Sequence, residues 1–122
     1  MIVKNMISDR SGKPIANQFI ITIDNLEIFQ SYKTVIAVRR DNNNDVILLD
    51  YDYTISPTTS KYLYKFLGFN KKRILERVQD NSIRIIGLNS NVMIKDGFRM
   101  HNYNMDLHTA FQKHFNTVHN LG

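Results

Sequence analysis

The sequence predicts an α+β fold: an antiparallel meander of three to five strands, two short central helices and a C-terminal helix, in a single domain over residues 1–122. Three observations predict it. The first half alternates with the period of two that strands require; after Pro57 the apolar spacing lengthens to the helical period; clusters of Asp, Asn and Gly punctuate the runs. A chain of this length buries roughly two thirds of the surface its unfolded form exposes, enough for one core without staples.

Taken in order, IVKNMI reads as an edge strand, with Ser11-Gly12-Lys13-Pro14 as the turn after it. QFIITI (Gln18 to Ile23) is β-branched and aromatic, and Asp24-Asn25 turns it into EIFQSY (Glu27 to Tyr32) as a hairpin. TVIAVRR continues the pattern, DNNND supplies a loop of residues that tolerate left-handed backbone, and VILLD (Val46 to Asp50) resumes it. Pro57 holds Ser56 extended, and Thr58 or Thr59 offers the oxygen an N-cap needs. Tyr62, Leu63, Phe66 and Leu67 then form an inward face, and Gly68 suits a left-handed helix end. Asn70 starts a second helix with the stripe Ile74, Leu75 and Val78, ending near Asp80-Asn81, and SIRIIGL reads as a further strand. Residues 89–122 read as an extension. Asp96-Gly97 marks a turn there, and Asn104 caps a last helix whose stripe Leu107, Phe111, Phe115 and Val118 docks on the domain or, through Phe111 and Phe115, forms a homodimer.

Composition excludes several functions. With no cysteine there are no disulfides, thiolate metal sites or thiol nucleophile, which fits a reducing compartment, so the expected location is the cytoplasm. No stretch approaches the roughly 20 apolar residues of a membrane span, so no membrane partner is expected. The formal net charge is +5, and its distribution matters more than its size. Asp41, Asp45, Asp50 and Asp52 form an acidic run without a Lys or Arg, whereas six cations between Lys61 and Arg77 face the single Glu76.

Those cations are the candidate contact residues. Lys61, Tyr64 and Lys65 are expected on the outer side of the first helix, and Lys71, Lys72, Arg73 and Arg77 on the second, opposite its apolar stripe. Basic side chains with an interleaved aromatic suit phosphate contact and base stacking. The same residues also make an ordinary solvated face, and the acidic run could neutralise them. The helix pair partly fits a helix-turn-helix: Leu63, Leu67, Phe69 and Ile74 stand where that motif places apolar residues around Gly68. Tyr64 stands where it requires a very small residue, and Arg77 where it requires an apolar one. His108, His114 and His119 lack the three- or four-residue spacing that lets two imidazoles share an ion, so neither a metal nor another cofactor is expected. Asp50 and Asp52 share a strand face, but no base, elbow or Gly-rich loop accompanies them.

The blocks FQSYKTVIAV, LLDYDY, SPTTSKY and FLG resemble a family of small uncharacterised proteins carried by plasmids and phages of Gram-positive bacteria. The resemblance runs from Gln18 to about Asn89 and rests on Phe29 to Tyr32, Ile36, Ala37, Leu49, Asp50, Thr58, Thr59, Lys61, Tyr62 and Phe66 to Gly68. Tyr53 and Ile55 depart from the family's Trp and Tyr, and the tail has no counterpart. The resemblance implies an accessory protein of a mobile element rather than a metabolic enzyme. Core formation explains most of these blocks; it does not require Gln30, Lys61 or the hydroxyls of Tyr32 and Tyr62, which join the candidates. The expected function is a non-enzymatic binding protein that engages nucleic acid or a host protein handling nucleic acid, such as an inhibitor of a host defence nuclease (an anti-CRISPR). The alternative is a DNA-binding regulator acting through residues 59–80.

Overall fold

The computed structural model describes residues 1–41 and 43–89. Six strands form one sheet in sequential order: β1 (Ile2–Ile7), β2 (Pro14–Ile23), β3 (Leu26–Ser31), β4 (Thr34–Arg40), β5 (Asn43–Asp50) and β6 (Ile83–Ile86), with α1 (Pro57–Leu67) and α2 (Lys71–Gln79) between the last two. β1 to β5 pair antiparallel, but β6 runs parallel to β5, pairing Ile47 with Ile83 and Leu49 with Ile85. This overturns the expected antiparallel meander of three to five strands: among the described residues the sheet has six strands and is mixed. The reason is the connection. Parallel neighbours need a crossover of a dozen or more residues, and the segment holding both helices supplies it, whereas the tight turns upstream permit only antiparallel pairs. The expected last helix, its dimer contacts through Phe111 and Phe115, and the histidines all lie outside the described residues.

Two-residue turns set the register. Ile23 pairs with Leu26 and Ser31 with Thr34, and the first turn residue of each hairpin, Asp24 and Tyr32, has positive φ (52° and 55°). DNNND is not a five-residue loop, because Arg40 pairs with Asn43. In β4 the register shifts where Phe29 faces Ala37 but Gln30 faces Val35. Ile36 is the bulged residue, so Ile36 and Ala37 both join the helix-side core.

That core gathers Phe29, Ile47 and Leu49 from the sheet with Leu63, Phe66 and Leu67 of α1 and Ile74 of α2. The rings of Phe29 and Phe66 stack with centroids 5.7 Å apart. A separate buried cluster occupies the other side of the strands, around Ile21, Ile28, Val38 and Leu48, and contains no residue of either helix.

α1 begins earlier than Thr58 or Thr59 would place it. Ser56 is the N-cap, extended at φ −152°, and its Oγ accepts the Thr59 amide at 3.1 Å, with Pro57 in the first turn. Gly68 closes the helix at φ 84°, its amide donating to the Tyr64 carbonyl. The next two orphan carbonyls are taken by side chains from the sheet: Arg39 donates to Phe66 O and Asn44 to Leu67 O, each at 2.8 Å.

Candidate functional site

The strings FQSY, SPTTS and FLG meet at one joint between β3 and α1. Within FQSY, Phe29 stacks on Phe66 of FLG, and the Ser31 hydroxyl lies 2.9 Å from that of Thr59 in SPTTS. Gln30 is fully buried and donates from Nε2 to the Tyr32 carbonyl at 2.8 Å, bracing the hairpin turn. It is a folding residue, contrary to its selection as a contact. Asp50 is likewise internal: one carboxylate oxygen accepts the Leu88 amide at 2.8 Å and the other the Asp52 amide at 3.0 Å. The acidic run is therefore not a block of charge laid against the cations.

Of the predicted cations, Arg77 leaves the group. It is 7 % exposed, on the inward face with Ile74. Its guanidinium donates to the Ser82 hydroxyl at 2.8 Å, to the Asp45 carbonyl at 3.0 Å and to the Asn44 carbonyl, while standing 5.5 Å from the Phe69 ring centroid. Burial pushes its pKa below the ordinary arginine range, Asp80 and Asp45 opposing that shift and Arg73 adding to it. The expected arrangement, with Arg77 facing outward beside Arg73, does not form. Leu75, expected in the apolar stripe, is exposed instead.

The remaining cations lie at the surface. Lys71, Lys72 and Arg73 occupy the first turn of α2, which has no acidic residue, and the side chain of N-cap Asn70 makes no capping bond. Cations at a helix N-terminus are disfavoured by the macrodipole, so this turn concentrates positive potential that folding does not call for. Arg73 lies 3.8 Å from Glu76, both about half exposed. Among the described residues neither Lys71 nor Lys72 has a carboxylate within ion-pair distance.

α1 presents the second cationic zone. Lys61 and Lys65 line a groove of about 350 Å³ with Tyr62, Ile15 and the β1–β2 turn residues Ser8, Asp9 and Arg10. Lys65 is partly neutralised, pairing with Asp9 at 2.8 Å and donating to the Ile7 carbonyl. Lys61 stands 5.3 Å from the Tyr62 ring centroid and, like Arg10, has no carboxylate partner among the described residues. Tyr64 is half-buried and packs on the helix-side core. Arg10 is a site residue the sequence reading missed: it stands one residue before the turn expected at Ser11 to Pro14, and the structure draws it into that turn.

Tyr32 stands apart. Ser31 beside it touches Thr59 near the start of α1, whereas Lys71 to Arg73 follow the helix's other end, roughly 16 Å away at 1.5 Å per residue. The structure thus gathers Lys61 and Lys65 with Arg10, groups Lys71, Lys72 and Arg73 separately, and removes Gln30 and Arg77 from the surface.

Residues 1–82 match the model of DUF8033, a family of unknown function. The chain belongs to DUF8033. The matched DUF8033 region contains every surface cation described above and stops just before β6. No curated protein and no solved structure matches the chain. Among the described residues no helix is long and apolar enough to cross a membrane.

Proposed function

We propose that this DUF8033 protein is a non-enzymatic binding protein that engages nucleic acid through Lys61 and Arg10 on one side and the Lys71, Lys72 and Arg73 turn on the other. The observation that carries the reading is the lack of compensation: these side chains are exposed, and Lys61, Arg10, Lys71 and Lys72 meet no carboxylate among the described residues. Tyr32, exposed at a hairpin tip, offers a ring for stacking. Each phosphate neutralised by such a cation releases counterions, so affinity falls as salt rises. The cytoplasm is the matching compartment for a cysteine-free chain of this charge.

The test is fluorescence anisotropy with labelled single-stranded and duplex oligonucleotides at 50 and 200 mM salt. The chain binds at the lower salt and loses affinity at the higher, while the combined Lys61→Glu, Lys71→Glu and Lys72→Glu variant, folded by circular dichroism, loses binding at both. Absence of any binding at the lower salt overturns the nucleic-acid reading and directs attention to an acidic host protein. The narrower role, inhibition of a host defence nuclease by a plasmid or phage, draws its support from the sequence blocks alone. The regulator alternative keeps the helix pair but not Arg77, whose guanidinium is committed inside the fold.

A further inference from the structure

The groove beside α1 is built by an irregularity that folding does not call for. Asn5 pairs with Phe19 and Ile7 with Pro14, so β2 places residues 15–18 opposite the single residue Met6. A bulge of this size bends the strand and interrupts the ladder, and such interruptions collect next to ligand sites. Here it is held from two sides. Asn5 donates from Nδ2 to the Ile15 carbonyl at 2.9 Å, and the Tyr32 amide donates to the carbonyl of Asn17, which takes φ 63°, at 2.7 Å. The cost falls on Gln18, the last residue of the bulge. It lies opposite Ser31, whose hydroxyl meets Thr59, so it faces α1. Gln18 is 1 % exposed, and neither polar atom of its amide has a hydrogen-bond partner among the described residues. A buried amide without partners is destabilising, and folding alone supplies no reason to keep it.

What the bulge produces is a concave surface. It brings Ile15 into the groove of about 350 Å³ with Tyr62, where three cations, Arg10, Lys61 and Lys65, face the single carboxylate of Asp9. Lys61 stands 5.3 Å from the Tyr62 ring centroid, so a cation and an aromatic ring are offered side by side. We infer that this groove takes one unpaired nucleotide of a single strand, its base against Tyr62 and Ile15 and its phosphate on Arg10 and Lys61, a specificity that rests on the nucleic-acid function proposed above. The volume suits one small ligand rather than a helix. Tyr62 is half-buried, and in a duplex both faces of a base are covered by its neighbours, so a recessed ring meets only a base taken out of the stack. A duplex can still touch Lys71, Lys72 and Arg73 at the surface, and strand preference therefore separates the groove from that turn.

The test is anisotropy at 50 mM salt with a labelled single strand of about twenty nucleotides and with the same strand annealed to its complement. The parent chain binds the single strand at least about tenfold more tightly than the duplex. Tyr62→Leu, folded by circular dichroism, loses about 5- to 100-fold in single-strand affinity and little in duplex affinity, whereas Tyr62→Phe, which keeps the ring, binds as the parent does. Arg10→Ala, at an exposed turn, lowers the single-strand log–log salt slope by about 0.7. Should Tyr62→Leu fail to fold, Arg10→Ala decides, because a groove contact makes the single strand lose more affinity than the duplex. Duplex binding as tight as single-strand binding, or a folded Tyr62→Leu chain indistinguishable from the parent, removes the groove site and leaves the nucleic-acid reading standing on Lys71, Lys72 and Arg73. Absence of binding to either probe overturns both.

Discussion

At the scale of single residues, the informative positions are those where folding and exposure disagree. Tyr32 adopts φ 55°, a region costly for a residue with a Cβ, at the first position of a two-residue hairpin turn where glycine is favoured. Its side chain is 56 % exposed. A ring held in an unfavourable backbone conformation and left in water contributes little to the core, which makes contact with a ligand the economical account of it. Tyr32→Gly is expected to raise stability by about 0.5–1 kcal/mol in urea titration and to weaken oligonucleotide binding. Arg77 shows the opposite balance. Removing its side chain leaves the Asn44 and Asp45 carbonyls and the Ser82 hydroxyl without their donor, so Arg77→Ala is expected to cost about 3 kcal/mol. Arg77→Lys keeps the charge but cannot serve Ser82 and the strand carbonyls together, and it recovers only part of that loss in the same titration. Neither change alters the salt dependence of binding, because the group never reaches the surface.

At the scale of elements, the sequence was informative where local chemistry decides and silent where tertiary pairing does. Gly68 was legible because a left-handed helix end needs a residue without a Cβ; nothing stands within 4 Å of the position a Cβ would take, so Gly68→Ala acts through backbone strain alone and is expected to cost about 1 kcal/mol. The α1 stripe was legible because Leu63, Phe66 and Leu67 lie on one face. The α2 stripe was misread because Leu75 and Arg77 flank Ile74 on opposite sides, and hydropathy alone favours Leu75. The sheet decides otherwise. Arg39 pairs with Ile47 but Arg40 with Asn43, so residues 44–46 bulge out of the ladder and leave carbonyls that only a long donor reaches. Arg39 was missed for the same reason: its pairing with Glu27 at 2.7 Å and its position 4.1 Å over Phe66 exist only once β3, β4 and α1 are assembled. The α2–β6 turn carries a pH dependence. Asp80 accepts the Ser82 amide at 2.9 Å and the Ser82 hydroxyl at 2.6 Å, and these bonds lower its pKa. A depressed carboxyl stabilises the fold above its unfolded value of about 4, and that contribution fades as pH falls through the folded value. Asp80→Asn is expected to flatten the acid limb of thermal stability measured between pH 5 and 2.

At the scale of the whole molecule, charge is sorted by what the fold consumes. Arg39 and Arg77 are buried and hold β4, β5 and both helices together, while Lys61, Lys71, Lys72 and Arg10 remain at the surface. The net charge of +5 therefore says less about ligand contact than the location of the exposed cations does. Lys65 occupies the boundary between these classes. Asp9 holds it at 2.8 Å from an exposed turn, a pair that contributes at most about 1 kcal/mol to stability. Asp9→Asn releases that lysine into the groove beside Lys61 without disturbing the core. If the groove is a phosphate contact, the variant binds oligonucleotide more tightly than the parent chain at 50 mM salt, and the log–log slope of affinity against salt steepens by up to about 0.9, one further phosphate on duplex DNA. A variant with unchanged affinity and slope, in a protein that still binds through Lys71 and Lys72, would confine the contact to the first turn of α2 and leave the groove beside α1 outside the interface.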